Sequence, residues 1–221
     1  MPSEAPSPCM DLSQSTNHID LLKINHTISS AHLMNLHGPR GVREKMAEIH
    51  WLQEEYPPEA ILERLCQPVR DWFVWRFTSF TSPQLMAIPH LIDGEHLLLC
   101  SPTGTGKTMT AFLSIIDQLV RKAIERTLED KIHCVYISPI KALANDIQKN
   151  LIQPLEEIKN RFLPRRALPI KVALRTGDTS QSDRQKMLRN PPHILITTPE
   201  SLSLAIASPK FSAILSRTEH L

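Results

Sequence analysis

The sequence has few cysteines and no long apolar run, and each shortage argues against a class of protein. Its four cysteines are far apart and form no Cys-x-x-Cys pair. A disulfide framework or a zinc site is therefore not expected. No apolar stretch reaches the roughly 20 residues that span a bilayer, and the Pro-rich N-terminus has no signal-peptide core. We therefore expect a cytoplasmic protein without a membrane partner.

An excess of charge of one sign is also lacking, since the net charge is only +2 at pH 7. This balance is too mild to indicate nucleic-acid binding by itself, so such an argument depends on where the charges lie. The 221 residues are 41% hydrophobic and 22% charged, which is typical of a globular chain with one sizeable core.

Glycine is scarce, and two of the six glycines lie in residues 101–108, which read Ser-Pro-Thr-Gly-Thr-Gly-Lys-Thr. An apolar run precedes this segment and a helical pattern follows it, the context of a phosphate-binding loop. Such glycines let backbone N–H groups turn towards phosphate oxygens beside the positive end of a helix. Lys107 is predicted to reach the β- and γ-phosphates, and the Thr108 hydroxyl to ligate Mg²⁺. The pattern starts with Ser101 rather than glycine, and an ordinary turn before a helix is the alternative.

Downstream of residue 95, short apolar runs alternate with helical patterns, which predicts an α/β fold. Parallel strands connected by helices are buried on both faces and read as continuous apolar segments. We therefore predict a parallel sheet with helices on both faces. The predicted strands are 96–100, 133–138, 170–174 and 193–197, and the predicted helices are 107–124, 142–151, 182–188 and 202–207.

The N-terminal part has a different composition, and we divide the chain into residues 1–37, 38–77 and 78–221. The first segment begins Pro- and Ser-rich and is expected to be disordered or weakly helical, with helix-spaced apolar residues from 17 to 37. The second is expected to be a helical lead-in, with helices over 42–56 and after the prolines at 57–58 and 68. All three tryptophans fall in it, which favours docking against the third segment over base stacking.

A glutamine upstream of the phosphate loop is a candidate for adenine recognition. The primary amide of Gln84 can pair with both the exocyclic amine and N7 of adenine. The preceding Ser82-Pro83 also suits a helix start, which explains this glutamine equally well.

Three further segments follow predicted strands and start at residues 138, 175 and 197. They read Ser-Pro-Ile-Lys-Ala-Leu, Arg-Thr-Gly-Asp-Thr and Thr-Thr-Pro-Glu-Ser-Leu. Ligands of parallel sheets gather at the carboxyl ends of the strands, and small hydroxyl-bearing residues there suit a sugar-phosphate backbone. Each segment alone is better explained as a turn and helix cap, whereas the three together favour binding. Lys and Arg outnumber Asp over residues 159–189, which suits the same ligand or a solvated face.

Taken in order, these motifs resemble the first RecA-like domain of superfamily two DEAD/DEAH-box helicases, in the Lhr (large helicase-related) branch. The resemblance covers residues 59–221 and implies an incomplete RecA-like domain that uses ATP and Mg²⁺. It implies that Lys107 and Thr108 are catalytic, that Thr108 holds the metal, and that Gln84 reads adenine. ATP would be held by Gln84, Thr103, Gly104, Thr105, Gly106, Lys107 and Thr108. Single-stranded or duplex nucleic acid would follow Pro139, Lys141, Ala142, Gly177, Asp178, Thr198, Pro199 and Glu200.

Two parts that the family carries are not found in the sequence. No apolar run ends in the adjacent acids of an Asp-Glu-x-His or Asp-Glu-Ala-Asp box, and no second RecA-like domain follows. We expect an ATP- and nucleic-acid-binding part of an ATP-dependent helicase that hydrolyses ATP poorly alone, and that is either a gene fragment or one half of a split helicase whose remaining half is a separate chain. The alternative is a non-catalytic, nucleotide-dependent nucleic-acid-binding module that acts with a partner chain.

Overall fold

The computed structural model describes residues 20–25, 48–52, 54–139, 147–163 and 168–221. The strands are β1 (Asp20–Asn25), β2 (Glu48–Leu52), β3 (His96–Cys100), β4 (Cys134–Ile137), β5 (Val172–Arg175) and β6 (Ile194–Thr197). The first helices are α1 (Pro58–Arg64), α2 (Gln67–Arg76), α3 (Ser82–Ile92) and α4 (Lys107–Glu125). Helix α5 covers 148–162 with π-helical turns at both ends, and α6 (Gln181–Arg189), α7 (Pro199–Ala207) and α8 (Pro209–Leu215) follow.

The predicted parallel sheet with helices on both faces is confirmed for three strands, in the order β4-β6-β5. Its central strand β6 is buried throughout, and successive residues of a strand point to opposite faces. Ile194 and Ile196 join the core formed with α1, α2, α4 and α5, while Leu195 packs with Met187 and Phe211 of α6 and α8. The apolar runs therefore reflect burial on both sides of the sheet.

Helix α4 runs antiparallel to strand β4 across one face of this sheet. Near the start of α4, the Phe112 ring lies 4.8 Å from the Tyr136 ring, towards the carboxyl end of β4. Near the end of α4, Lys122 Nζ lies 3.4 Å from Nδ1 of His133, just before β4 begins. The N-terminus of α4 therefore points towards the carboxyl edge of the sheet.

The helical lead-in packs directly into this core. A proline in the first turn starts both α1 and α2, where a missing N–H costs little. Trp72 of α2 is fully buried, and its Nε1 donates a 2.7 Å hydrogen bond to Oε2 of Glu157 in α5. This tryptophan docks the lead-in, as expected, whereas Trp75 is 45% exposed.

The residue range predicted for the strand before the phosphate loop is correct, but the prediction that this strand belongs to the parallel sheet is wrong. Strand β3 belongs to a separate antiparallel sheet with the order β2-β1-β3. Its register pairs Leu21 with Leu99 and Ile24 with His96. Helix α3 covers part of this sheet, where Met86 and Ala87 pack with Leu52, Leu97 and Leu99.

Several N-terminal predictions are corrected by the same sheet. The helices expected within 17–37 and 42–56 are wrong over Asp20–Asn25 and Glu48–Leu52, which form a strand pair. Residues 1–19 and 26–47 lie outside the described ranges. Cys100 is exposed although it ends an apolar run, whereas Cys134 is buried. No helix in the described part of the chain is long and apolar enough to cross a membrane.

Candidate nucleotide and nucleic-acid site

The segment between β3 and α4 forms a tight loop that depends on two glycines. Gly104 and Gly106 have φ values of +84° and +87°, a left-handed region that disfavours residues with a Cβ. Gly106 is also the N-cap of α4, and no side chain caps that helix start. The first-turn N–H groups and the positive end of the helix therefore lie directly behind the loop, as an anion site requires.

The ammonium group of Lys107 folds back over this loop. Its Nζ donates hydrogen bonds to the carbonyl oxygens of Ser101 and, at 2.7 Å, of Pro102. The Thr105 hydroxyl donates to the same Pro102 carbonyl at 2.9 Å, so the loop is closed by its own polar groups. A phosphate oxygen could replace these carbonyls as the partner of the ammonium group.

Gln84 lies against the loop although it is 17 residues upstream of Ser101. It is 5% exposed, and its Oε1 accepts a 2.9 Å hydrogen bond from the backbone N–H of Thr81. The Thr81 hydroxyl in turn donates to the Thr105 carbonyl at 2.8 Å. Gln84 therefore lies beside the phosphate loop, and the alternative of a helix start is also present, because Gln84 is part of the capping box of α3.

The donor set near Thr108 fits a magnesium ion held mainly by phosphate. Thr108 lies half-buried in the first turn of α4. Over the described residues, no three His, Cys, Asp or Glu side chains cluster as a metal site would need. Mg²⁺ retains several waters and binds through one or two protein oxygens together with substrate phosphates. The single hydroxyl of Thr108 beside the phosphate loop is consistent with magnesium binding of this kind.

Three loops leave the parallel sheet at the same edge. The register places Ile137 and Arg175 on either side of Thr197, each the last residue of its strand. Immediately beyond, the N–H of Ser138 donates to the Thr197 carbonyl at 3.1 Å. The loops that start at 138, 176 and 198 therefore begin side by side, at the edge towards which the N-terminus of α4 points.

Two hydrogen bonds fix the conformation of the loop after β5. The Thr179 hydroxyl accepts from the N–H of Thr176 at 2.8 Å, and Arg184 donates to the Gly177 carbonyl at 2.9 Å. Gly177 and Asp178 at its tip are exposed, as nucleic-acid contact requires.

The loop after β6 divides its predicted residues between two roles. Thr198 is 2% exposed, and its hydroxyl caps α7 by accepting from the N–H of Ser201 at 3.3 Å. Pro199 and Glu200 are exposed in the first turn of α7. Pro139, after β4, is exposed as well, while Lys141 and Ala142 lie outside the described residues.

Arg175, the first residue of the Arg-Thr-Gly-Asp-Thr segment, is buried at the end of β5, which the sequence does not indicate. It is 4% exposed, although its neighbour Leu174 is 51% exposed. Its NH1 donates to the carbonyl and, at 2.6 Å, to the hydroxyl of Ser201. Nothing in the sequence predicts that the arginine faces inwards and the leucine outwards, because that depends on Phe211, over which the guanidinium lies.

This arrangement of phosphate loop, helix and parallel sheet is a RecA-like nucleotide-binding fold. A family model described as DEAD/DEAH box helicase matches residues 81–220. The chain therefore belongs to the DEAD/DEAH box helicase family.

Curated relatives and a solved structure agree with this assignment. The chain is 47% identical over 178 residues to the ATP-dependent helicase Lhr-Core of Methanocaldococcus jannaschii, covering 80% of this chain and 21% of that protein. It is 42% identical over 158 residues to the Lhr helicase/uracil glycosylase of Escherichia coli, covering 68% and 10%. The Mycobacterium smegmatis helicase Lhr, solved with ssDNA and AMP-PNP, superposes with a TM-score of 0.62 and 37% identity, over 72% of this chain and 20% of that one. The chain thus spans about a fifth or less of the length of these relatives.

Proposed function

We propose that this chain forms the ATP- and nucleic-acid-binding part of an ATP-dependent helicase similar to Lhr. One observation carries the proposal: the phosphate loop at the start of α4 points to the edge from which the loops at 138, 176 and 198 emerge. A nucleotide at the loop and a strand along that edge would be close enough to influence each other. The M. smegmatis relative, solved with ssDNA and AMP-PNP, supports the same pair of ligands.

For ATP, each loop residue has a distinct task. Residues 103–106 supply backbone N–H groups, Lys107 exchanges its carbonyl partners for the β- and γ-phosphates, and Thr108 binds Mg²⁺. Mg²⁺, when bound, neutralises charge that develops on the phosphates. Gln84 recognises adenine with the amide nitrogen that lies beside Gly106.

For nucleic acid, the exposed loop residues supply contacts to the backbone of one strand rather than to base edges. The candidates at the sheet edge are Pro139, Gly177, Asp178, Pro199 and Glu200, with Lys141 and Ala142 in the segment after Pro139. Thr198 acts through the helix start that it caps. Backbone contacts of this kind position a strand without reading its sequence, so we expect little sequence preference.

We further propose that the 221-residue chain alone hydrolyses ATP close to the uncatalysed rate. Phosphoryl transfer needs a positioned water and stabilisation of the transferring group, and the sequence holds no acidic box for the water. A non-catalytic, nucleotide-dependent nucleic-acid-binding module is the second candidate.

The test is a pair of titrations on the 221-residue protein. A fluorescent ATP analogue with Mg²⁺ is titrated first, and a fluorescein-labelled 20-mer of DNA or RNA second. Lys107→Ala should weaken nucleotide binding at least tenfold, whereas Lys210→Ala, an exposed lysine on α8, should not. Equal nucleotide affinity for the wild type and Lys107→Ala would remove the assigned role of the loop.

A further inference from the structure

The side chain of Arg175 connects the two loops that follow β5 and β6. Arg175 is the last residue of β5 and leads into the loop 176–179. Its guanidinium binds both the carbonyl and the hydroxyl of Ser201, in the first turn of α7. The N–H of Ser201 then donates to the Thr198 hydroxyl, so a continuous chain of hydrogen bonds runs from the β5 loop to the β6 loop.

A gain in the stability of the fold does not by itself explain why the guanidinium of Arg175 is buried. It lies 4.7 Å from the centre of the Phe211 ring, and no carboxylate of the described residues forms an ion pair with it. Its Nε is buried without a hydrogen-bond partner in the same residues. Burial, together with the positive charge of Arg184, lowers the pKa of Arg175. A buried charge without an opposite charge is costly, and an apolar side chain of similar volume is often the more stable choice.

Direct contact with a phosphate is not the role that this geometry supports. The side chain is 4% exposed and one of its NH groups is already bound to Ser201. A planar guanidinium can instead hold two acceptors at once in fixed directions, which an ammonium group cannot do equally well. Arg184 acts similarly on the neighbouring loop, where it holds the Gly177 carbonyl.

We propose that Arg175 is a positioning residue, which fixes the first turn of α7 against the end of β5. It thereby presents Gly177 and Asp178 on one loop, and Pro199 and Glu200 on the other, in a single arrangement to a nucleic-acid strand. The proposal rests on the proposed nucleic-acid binding at this edge. Its positioning part can be measured without any nucleic acid.

The first measurement is hydrogen exchange of the backbone N–H groups of residues 201–203 in the unliganded protein. Arg175→Met keeps an apolar stem against Phe211 but removes the donors, and should speed exchange about tenfold or more. Arg175→Lys should give an intermediate rate, and Ser201→Ala, which removes only the hydroxyl, a smaller increase. Arg217→Met is the control, since Arg217 is 64% exposed and pairs with Glu129 at the other edge of the sheet. Unchanged exchange in both Arg175 variants would overturn the proposal.

The second measurement is the affinity for a fluorescein-labelled thymidine 20-mer at several KCl concentrations. A positioning residue should lower affinity about tenfold in Arg175→Met without altering the slope of log K against log[salt]. A slope smaller by about 0.7 would show that Arg175 contacts a phosphate itself, which contradicts the proposal. If the wild type binds no oligonucleotide at low salt, the proposed function is wrong. The proposal that Arg175 presents the two loops to a nucleic-acid strand is then wrong as well. The exchange rates then still decide whether Arg175 holds α7. If Arg175→Met does not fold, Arg175→Lys and Ser201→Ala supply both measurements.

Discussion

The amide nitrogen of Gln84 packs against the backbone of Gly106. A Cβ built on Gly106 would stand 3.0 Å from Nε2 of Gln84 and 3.5 Å from the Thr81 hydroxyl. Real Cβ atoms rarely have such close neighbours, and Gly106 also has a φ of +87°. The proposed adenine-reading residue and the phosphate loop are therefore packed so closely that a Cβ on Gly106 would shift the Gln84 amide.

Replacing glycines by alanine should separate backbone strain from this close contact. Gly94→Ala, Gly104→Ala and Gly106→Ala all place a Cβ at positive φ, which costs about 1–2 kcal/mol of stability. Nothing lies within 4 Å of the first two Cβ positions, so only Gly106→Ala also displaces Gln84. We expect Gly94→Ala to retain Mg-ATP affinity and Gly106→Ala to lose the most.

Urea melts and nucleotide titrations of the three variants check this prediction. The stability lost in the Gln84→Ala/Gly106→Ala double variant should be smaller than the sum of the two single losses, because the displaced amide is then absent. If the double variant is as unstable as the sum of its single variants, the contact between these residues is not what makes Gly106 necessary.

The two tryptophans of α2 provide a matched pair for testing whether the lead-in is part of the folded core. Trp72 is fully buried and bonded to Glu157, and Trp72→Ala should cost about 3–5 kcal/mol. Trp75 is 45% exposed and lies under Arg161 at 4.4 Å, so Trp75→Ala should cost about 1 kcal/mol or less. Urea melts of both variants measure the difference. Similar losses at the two sites would mean that α2 does not fold with the rest.

The sequence predicts the local parts of this structure well. Residues 96–125 are correctly divided into strand, loop and helix because glycine placement, helix periodicity and an apolar run all act within a few residues of one another. The three loops at the sheet edge are predicted for a similar reason, since parallel strands with intervening helices must place their carboxyl ends together. The start of α3 at Ser82 and Pro83 also follows from neighbouring residues.

Features that depend on distant pairing are not predicted. Residues 48–52 have helix-like spacing, yet they form β2 because they pair with β1, across residues 26–47. Strand β3 is apolar enough for a parallel sheet, but its partner is β1. The inward-facing Arg175 is found only when Ser201 and Phe211 are placed around it. In each case the deciding contact joins residues that are far apart in sequence.

Nucleic-acid affinity should be sensitive to salt through the basic residues that follow the β5 loop. For a single strand, each neutralised phosphate contributes about −0.7 to the slope of log K against log[salt]. Replacing the exposed Lys186 of α6, whose Nζ donates to Asp183 in the first turn of that helix, by glutamine should reduce both the affinity and this slope. The control replaces Arg217, near the amino ends of the parallel strands, by glutamine and removes the same charge. Anisotropy titrations between 50 and about 200 mM KCl check the prediction, and equal slopes for the two variants would refute it.

The stability of the protein should fall on acidification, in part because His193 and Glu219, at the amino ends of the parallel strands, both have lowered pKa values. Burial first, and then the charges of Lys171 and His133, lower the pKa of His193 to about 4. Burial alone raises the pKa of Glu219, but hydrogen bonds from Lys122, His133 and Lys131 outweigh it and lower this pKa to about 2. Both groups therefore bind protons less readily in the folded chain than in the unfolded one.

The sign of each effect fixes its pH range. For His193 the pKa in the unfolded chain is near 6.5, so the stability that its neutral side chain contributes is complete above that pH. This stability is lost as the pH falls towards 4, by at most about 3 kcal/mol. For Glu219 the contribution is present above about 4.5 and is lost as the pH falls towards 2. Urea melts from pH 7.5 to 3 should therefore show His193→Gln flattening the upper range and Glu219→Gln the lower. In the folded chain, Nδ1 of His193 accepts a 2.9 Å hydrogen bond from the Lys171 N–H. A wild-type free energy of unfolding that stays constant between pH 7 and 5 would contradict the lowered pKa of His193.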